Sequence, residues 1–207
     1  MKEAIEIIDK YPYLQKVFKH IIYNSSSNGL PYHNLNHGMT VLKYYYNAIE
    51  YYKFNDEEGI KNMLIAALCH DANHSGGKLK DNFNVIKAKT YIRQLSEDCQ
   101  LEIDFNITDE ILDATEYPYK IEGKDLTLDQ AIIRDADLMQ VYEYNWVHQI
   151  IYGLSEELNM DFFDFVDPQI NFLNSCEFIT DWAKEMKEGR WETAINHLHL
   201  LKKIKDV

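Results

Sequence analysis

Four of the eight histidines in this 207-residue chain stand in two pairs, His33 with His37 and His70 with His74. Each pair has the i, i+4 spacing that places two side chains on one face of a helix. Asp71 follows His70 directly, and a later acidic pair, Asp135 and Asp137, sits in Arg134-Asp135-Ala136-Asp137-Leu138, inside an otherwise apolar stretch. Neutral imidazole and carboxylate form the ligand set of zinc, manganese, iron and magnesium sites. A lone histidine on an apolar face is usually a hydrogen-bonded core residue, and one i, i+4 pair arises readily by chance. Two pairs with an adjacent aspartate between residues 33 and 74 point to a metal instead. His70-Asp71 also closes a strongly apolar helix, where two polar groups would be costly to bury unpaired. Other helices must supply the remaining ligands, and His37 and Asp137 are the natural candidates.

Composition narrows the remaining classes. Lys plus Arg is 21 and Asp plus Glu is 34, so the net charge is 21 − 34 = −13. That argues against a nucleic-acid binder or an anionic-membrane binder, which need a basic face. It leaves room for a small anionic substrate where bound cations dominate locally. Cys69, Cys99 and Cys176 are widely spaced, odd in number and form no CxxC, so reduced thiols in a cytoplasmic protein are expected. No signal-peptide apolar stretch follows Met1, and the uncharged segment from His20 to Leu42 is too rich in Asn, Ser, Gly and His to span a membrane. Gly76-Gly77-Lys78 lacks P-loop spacing, and neither HExxH nor GxSxG occurs.

The elements that must position these residues are helical. Ile60, Met63, Leu64, Ala67 and Leu68 form one apolar stripe. Tyr13, Val17, Phe18, Ile21 and Ile22 form another after Pro12, and Val41, Leu42, Tyr45, Ala48, Ile49 and Tyr52 a third. Helix starts are expected at Thr108, at Thr127 with Gln130 completing a capping box, and at Asp167-Pro168. A final helix is expected from Glu192 to Lys205. Leu101 to Ile107 alternates like a strand but has no partner. Trp182 and Trp191 read as packing residues. No breaker is long enough to be a linker. The expectation is a compact all-α helical bundle, one domain over residues 1–207, with a metal site in a central pocket.

These residues also resemble a family. Tyr32-His33-Asn34-Leu35-Asn36-His37 resembles the Tyr-His-Asn-x-x-His motif of class I 3′,5′-cyclic nucleotide phosphodiesterases, members of the HD-domain metal-dependent phosphohydrolases. His70-Asp71-Ala72-Asn73-His74-Ser75-Gly76 resembles their His-Asp-x-x-His-x-Gly motif. Ile111-Leu112-Asp113-Ala114-Thr115-Glu116 is similar to their Ala-Thr-Asp region, Ala136-Asp137-Leu138 to their metal aspartate, and Gln169-Ile170-Asn171-Phe172 to their purine clamp. The order is the family order. Gln140 stands where the family usually has Asn, and Asn82 and Asn84 are alternatives for the Asn that follows the second motif.

The resemblance implies two divalent ions. His37, His70, Asp71 and Asp137 would hold the first, zinc or else iron or manganese. Asp71 would bridge to the second, magnesium or manganese. It implies His33 as the general acid for the leaving ribose oxygen, and His74 and Thr115 as groups ordering the water network. Tyr32, Gln140, Gln169 and Phe172 would face the substrate, with Gln169 and Phe172 bonding and stacking the base. The chemistry is consistent with physical needs. Cations neutralise an anionic phosphodiester and acidify a water for in-line attack. A histidine protonates the poor alkoxide leaving group at neutral pH. The implied activity is opening of a cyclic nucleotide to its 5′-monophosphate. The nearest alternative is a general HD phosphohydrolase acting on nucleotides or (p)ppGpp-like alarmones. A catalytically silent module that binds a nucleotide or a partner protein is disfavoured, because all four expected ligands are present; a fourth reading, a helical adaptor with structural histidines, is separated from the rest by elemental analysis of the purified protein.

Overall fold

A computed structural model describes residues 1–187 and 190–205. The chain is all-α, with eleven α-helices and no strand among the described residues. They are α1 Lys2–Lys10, α2 Pro12–Asn24, α3 Leu35–Tyr52, α4 Glu57–Cys69, α5 Asp81–Cys99, α6 Phe105–Asp113, α7 Leu128–Leu138, α8 Ser155–Glu157, α9 Phe162–Ser175, α10 Asp181–Lys187 and α11 Arg190–Lys205. A π-helix, Val147–Leu154, runs directly into α8, and a short 3-10 turn, Met139–Tyr142, follows α7.

The apolar stripes dictate the packing. α3 lies centrally against α1, α4 and α7, and α4 also packs on α6. Met63, Leu64, Ala67 and Leu68 are all buried, as the period of α4 requires. Val41, Leu42, Tyr45, Ala48 and Ile49 do the same on α3. α9, α11 and the Met139–Tyr142 turn close the opposite side, where Trp182 and Trp191 are buried packing residues. No described helix is long and apolar enough to cross a membrane.

Several local expectations are corrected. α6 begins at Phe105, not after Thr108, because the Asp104 carboxylate accepts from the Asn106 amide at 2.9 Å and caps the helix a turn earlier. Leu101 to Ile107 accordingly forms no strand. α9 begins at Phe162, capped by Asp161, whose carboxylate accepts from the amides of Phe163 and Asp164 at 2.9 and 3.4 Å. Pro168 therefore lies inside α9, not at its start, and withholds one N–H from the ladder there. α11 starts at Arg190, two residues ahead of the expected Glu192. The start of α7 stands as expected, with the Thr127 amide donating to Gln130 Oε1 at 3.0 Å.

Candidate active site

Neither histidine pair lies on a single helix, contrary to the simple reading of the spacing. Asn34 caps α3: its side chain accepts from the Asn36 amide at 2.9 Å and donates to the carbonyls of Leu30 and Pro31 at 2.8 and 3.1 Å. Helix begins after the cap, so His37 sits in the first turn of α3 and His33 in the loop ahead of it. His70 is the residue that ends α4, and His74 lies in the turn beyond, where Asn73, Gly76 and Gly77 all take positive φ. One glycine brings the two segments together. A Cβ on Gly38 would stand 2.9 Å from the Leu68 carbonyl oxygen, so only glycine lets the start of α3 approach the end of α4 this closely.

His37 Nε2 lies 3.2 Å from His70 Nε2, 3.3 Å from Asp71 Oδ2 and 3.0 Å from Asp137 Oδ1. His70 Nε2 lies 3.0 Å from Asp71 Oδ2 and 3.7 Å from Asp137 Oδ1. Bonds of roughly 2.0–2.2 Å to one ion place neighbouring ligand atoms at about these separations. The other nitrogen of each ring is engaged. His70 Nδ1 donates to the Ala67 carbonyl at 2.9 Å, and His37 Nδ1 to Gln140 Oε1 at 3.3 Å. With those protons on Nδ1, both Nε2 atoms present lone pairs to the same point as two carboxylate oxygens. Four acceptors converge with no donor among them, so a cation fits this set.

Without a cation, protons take its place. Burial works against the charged rings, but the Asp137 and Asp71 carboxylates outweigh it and raise His37 to about 9. His70 rises well above the usual histidine value for the same reasons, burial opposing and the two carboxylates prevailing. Burial would raise Asp71 and Asp137, yet the adjacent histidines hold both well below the usual carboxylate range.

A second cluster flanks the first. Glu157 Oε2 accepts the backbone amides of Tyr32 and His33, both at 3.1 Å, and Oε1 accepts from His33 Nδ1. The Glu157 side chain is only 1% exposed. Burial would raise its carboxyl, but the bonds from His33 and His74 hold it well below the usual range. The His33 and His74 rings lie with centroids 3.8 Å apart, tilted by 32°. Asn84, not Asn82, closes this cluster: its amide meets His74 Nε2 at 2.7 Å and accepts from the Ser75 amide at 3.0 Å. Glu157 reaches His33 because the π-helix runs close under the loop. A Cβ on Gly153 would stand 2.9 Å from the Pro31 carbonyl oxygen. His33, His74 and Glu157 could also group round an ion, but hydrogen bonds already account for this carboxylate.

Tyr32, His33, His70, Asp71, His74, Thr115, Asp137, Gln140, Gln169 and Phe172 all line one cavity of about 590 Å³. His37 lies beneath it, its ring 4.7 Å from that of Tyr32. Burial and the nearby carboxylates keep the Tyr32 phenol neutral. Gln169 and Phe172 reach the cavity from the middle of α9 rather than from its first turn. The Thr115 hydroxyl donates to the Leu112 carbonyl at 2.8 Å, and both ends of the Gln140 amide bond within the protein. Sequence reasoning missed Glu157, Gln149, Tyr117 and Tyr119. Tyr117 meets Tyr119 and Phe172 edge to face at 5.4 and 5.9 Å, and the Arg134 guanidinium backs Tyr119 at 3.9 Å. The dense tyrosines around Pro118 were the available signal for the last two; Glu157 and Gln149 offered none locally.

Residues 32–102, about a third of the chain, match the family model described as 3′5′-cyclic nucleotide phosphodiesterase. No curated protein and no solved structure matches. The matched stretch contains His33, His37, His70, Asp71 and His74, five of the residues that the fold gathers at this cavity. Over residues 32–102 the chain is therefore similar to the 3′5′-cyclic nucleotide phosphodiesterase family.

Proposed function

We propose that the chain is one catalytic domain that hydrolyses a 3′,5′-cyclic nucleotide to the 5′-monophosphate with two divalent ions. His37, His70, Asp71 and Asp137 hold the first, zinc by preference and iron or manganese otherwise. Asp71 would also help hold the second, magnesium or manganese. The convergence of four acceptor atoms with no donor among them carries this reading. Ions held there would supply charge neutralisation of the phosphodiester and a lowered pKa for the attacking water.

The chain's own residues do the rest. His33 is the general acid. Glu157 engages its Nδ1–H, which leaves the Nε2 proton as the one delivered to the departing ribose oxygen. His74, with Asn84 at its Nε2, and Thr115 order the polar wall beside the reacting centre. Tyr32 packs between His33 and His37 and fixes both rings. Gln169 offers a donor and an acceptor to a base edge, and Phe172 offers a ring face. Gln140 borders the substrate space while orienting His37.

The test is turnover of cyclic mono- and dinucleotides with added manganese or magnesium, before and after chelation. The 5′-monophosphate should appear, and chelation should abolish it. Hydrolysis that survives exhaustive chelation, or a phosphomonoester substrate preferred over every cyclic nucleotide, would contradict this function.

A further inference from the structure

We infer that Gln149 is a positioning residue, fixing which end of the Gln140 amide faces His37 and thereby favouring, in the neutral ring, the tautomer whose Nε2 lone pair is open to a metal. The inference rests on the metal reading above and extends it to a residue outside the ligand set. The two histidine ligands differ in what holds their tautomer. His70 Nδ1 meets the Ala67 carbonyl oxygen at 2.9 Å, a backbone group that can only accept. His37 Nδ1 meets Gln140 Oε1 at 3.3 Å, and a glutamine amide can turn end for end.

Turned over, Gln140 would present its NH₂ to His37 Nδ1. That arrangement favours the tautomer with hydrogen on Nε2, the atom that faces His70, Asp71 and Asp137. A ring in that state has no lone pair for an ion. Gln140 is only 1% exposed, so its amide is shielded from bulk water. Its Nε2 donates to Gln149 Oε1, which commits Oε1 to His37. Gln149 belongs to the π-helix Val147–Leu154, which packs beside the Met139–Tyr142 turn that carries Gln140. π-helical turns occur often at functional sites, and here that turn bears the acceptor.

The experiment is a zinc affinity measurement by chelator competition on the full chain, with folding of each variant followed by circular dichroism. Gln149→Met removes the acceptor and should weaken zinc binding roughly 10- to 100-fold, the usual effect of losing an outer partner of a histidine ligand. Gln140→Glu supplies acceptors at both ends, so its orientation no longer matters. The gain in affinity from Gln140→Glu should therefore be larger in the Gln149→Met background than in the wild type. Unchanged zinc affinity in Gln149→Met, or equal gains from Gln140→Glu in both backgrounds, would overturn the role of Gln149 alone. A wild-type chain that takes up no metal would overturn the metal reading and this inference with it.

Discussion

Nε2 of His37 and Nε2 of His70 stand 3.2 Å apart, although the two residues come from different helices and their rings meet at 65°. Two neutral imidazoles gain nothing by facing lone pair to lone pair. The contact is sensible only if a positive charge lies between them, and Asp71 and Asp137 complete its surroundings. Gly38, by admitting α3 to the end of α4, is what makes the approach sterically possible.

His33 lies outside this ligand set, so His33→Ala should retain metal and lose turnover. Loss of a general acid costs about 10²- to 10⁴-fold in rate. A nitrophenyl phosphodiester, whose leaving group needs no proton, should lose far less. Steady-state rates on both substrates check this, and equal losses on the two would remove the acid role from His33.

Gly153→Ala reverses an ordinary expectation. Inside a helix the exchange usually stabilises by roughly 0.5–1 kcal/mol. Here the new Cβ would meet the Pro31 carbonyl oxygen at 2.9 Å and its carbon at 3.2 Å, backbone atoms with little freedom to give. A loss of about 1–3 kcal/mol is expected from overpacking, with a drop in turnover as Glu157 is pushed away from His33. Urea unfolding midpoints measure the first effect, and a stabilised variant would show that the contact is not as tight as described.

Gln169→Ala should raise KM for cyclic nucleotides by an amount equivalent to about 1–3 kcal/mol, the cost of leaving a buried polar contact unpaired. Hydrolysis of a base-free phosphodiester should be nearly unaffected. The comparison is informative because Gln169 and Phe172 face the cavity together from α9. Parallel effects on both substrates would take Gln169 out of base recognition.

Glu143 gives a pH dependence away from the proposed metal ligands. Burial would raise its carboxyl, but the hydrogen bond and charge of Lys43 and the Tyr44 hydroxyl at 3.0 Å lower it below the ordinary 4.5. A depressed carboxylate stabilises the fold above its unfolded pKa, and that stability fades as pH falls through the lower folded value. Glu143→Gln should therefore cost on the order of 1.5–3 kcal/mol at neutral pH, the worth of a hydrogen bond to a charged group. The difference from wild type should shrink as pH drops below 4.5. Urea midpoints across that range would show it, and a gap that widens in acid would run against the assignment.

The parts of the molecule visible in the sequence are those with local causes. The stripe from Ile60 to Leu68 gives α4, and the capping pair Thr127 and Gln130 gives the start of α7. The two histidine motifs carry Tyr32, His33, His37, His70, Asp71 and His74, because their order along the chain is itself informative. The starts of α6 and α9 were misplaced because Asp104 and Asp161 cap them, while Thr108 and Asp167, better placed before acidic or proline residues, lie inside the helices. Glu157 was invisible because nothing near it in sequence marks it. It acquires its role only when Gly153 lets a π-helix pass beneath Pro31, more than a hundred residues away along the chain. Gln149 is hidden for the same reason, since its partner Gln140 is set by the turn after α7.

Elemental analysis of the purified wild-type chain beside Asp137→Ala tests the metal site most directly. Asp137 supplies one of the four converging acceptors, its Oδ1 lying 3.0 Å from His37 Nε2. Removing one ligand from such a set should cost most of the metal affinity. At least one transition ion per wild-type chain is expected, and its loss from the variant. A wild-type chain without metal, or an Asp137→Ala chain with undiminished metal, would contradict the metal site.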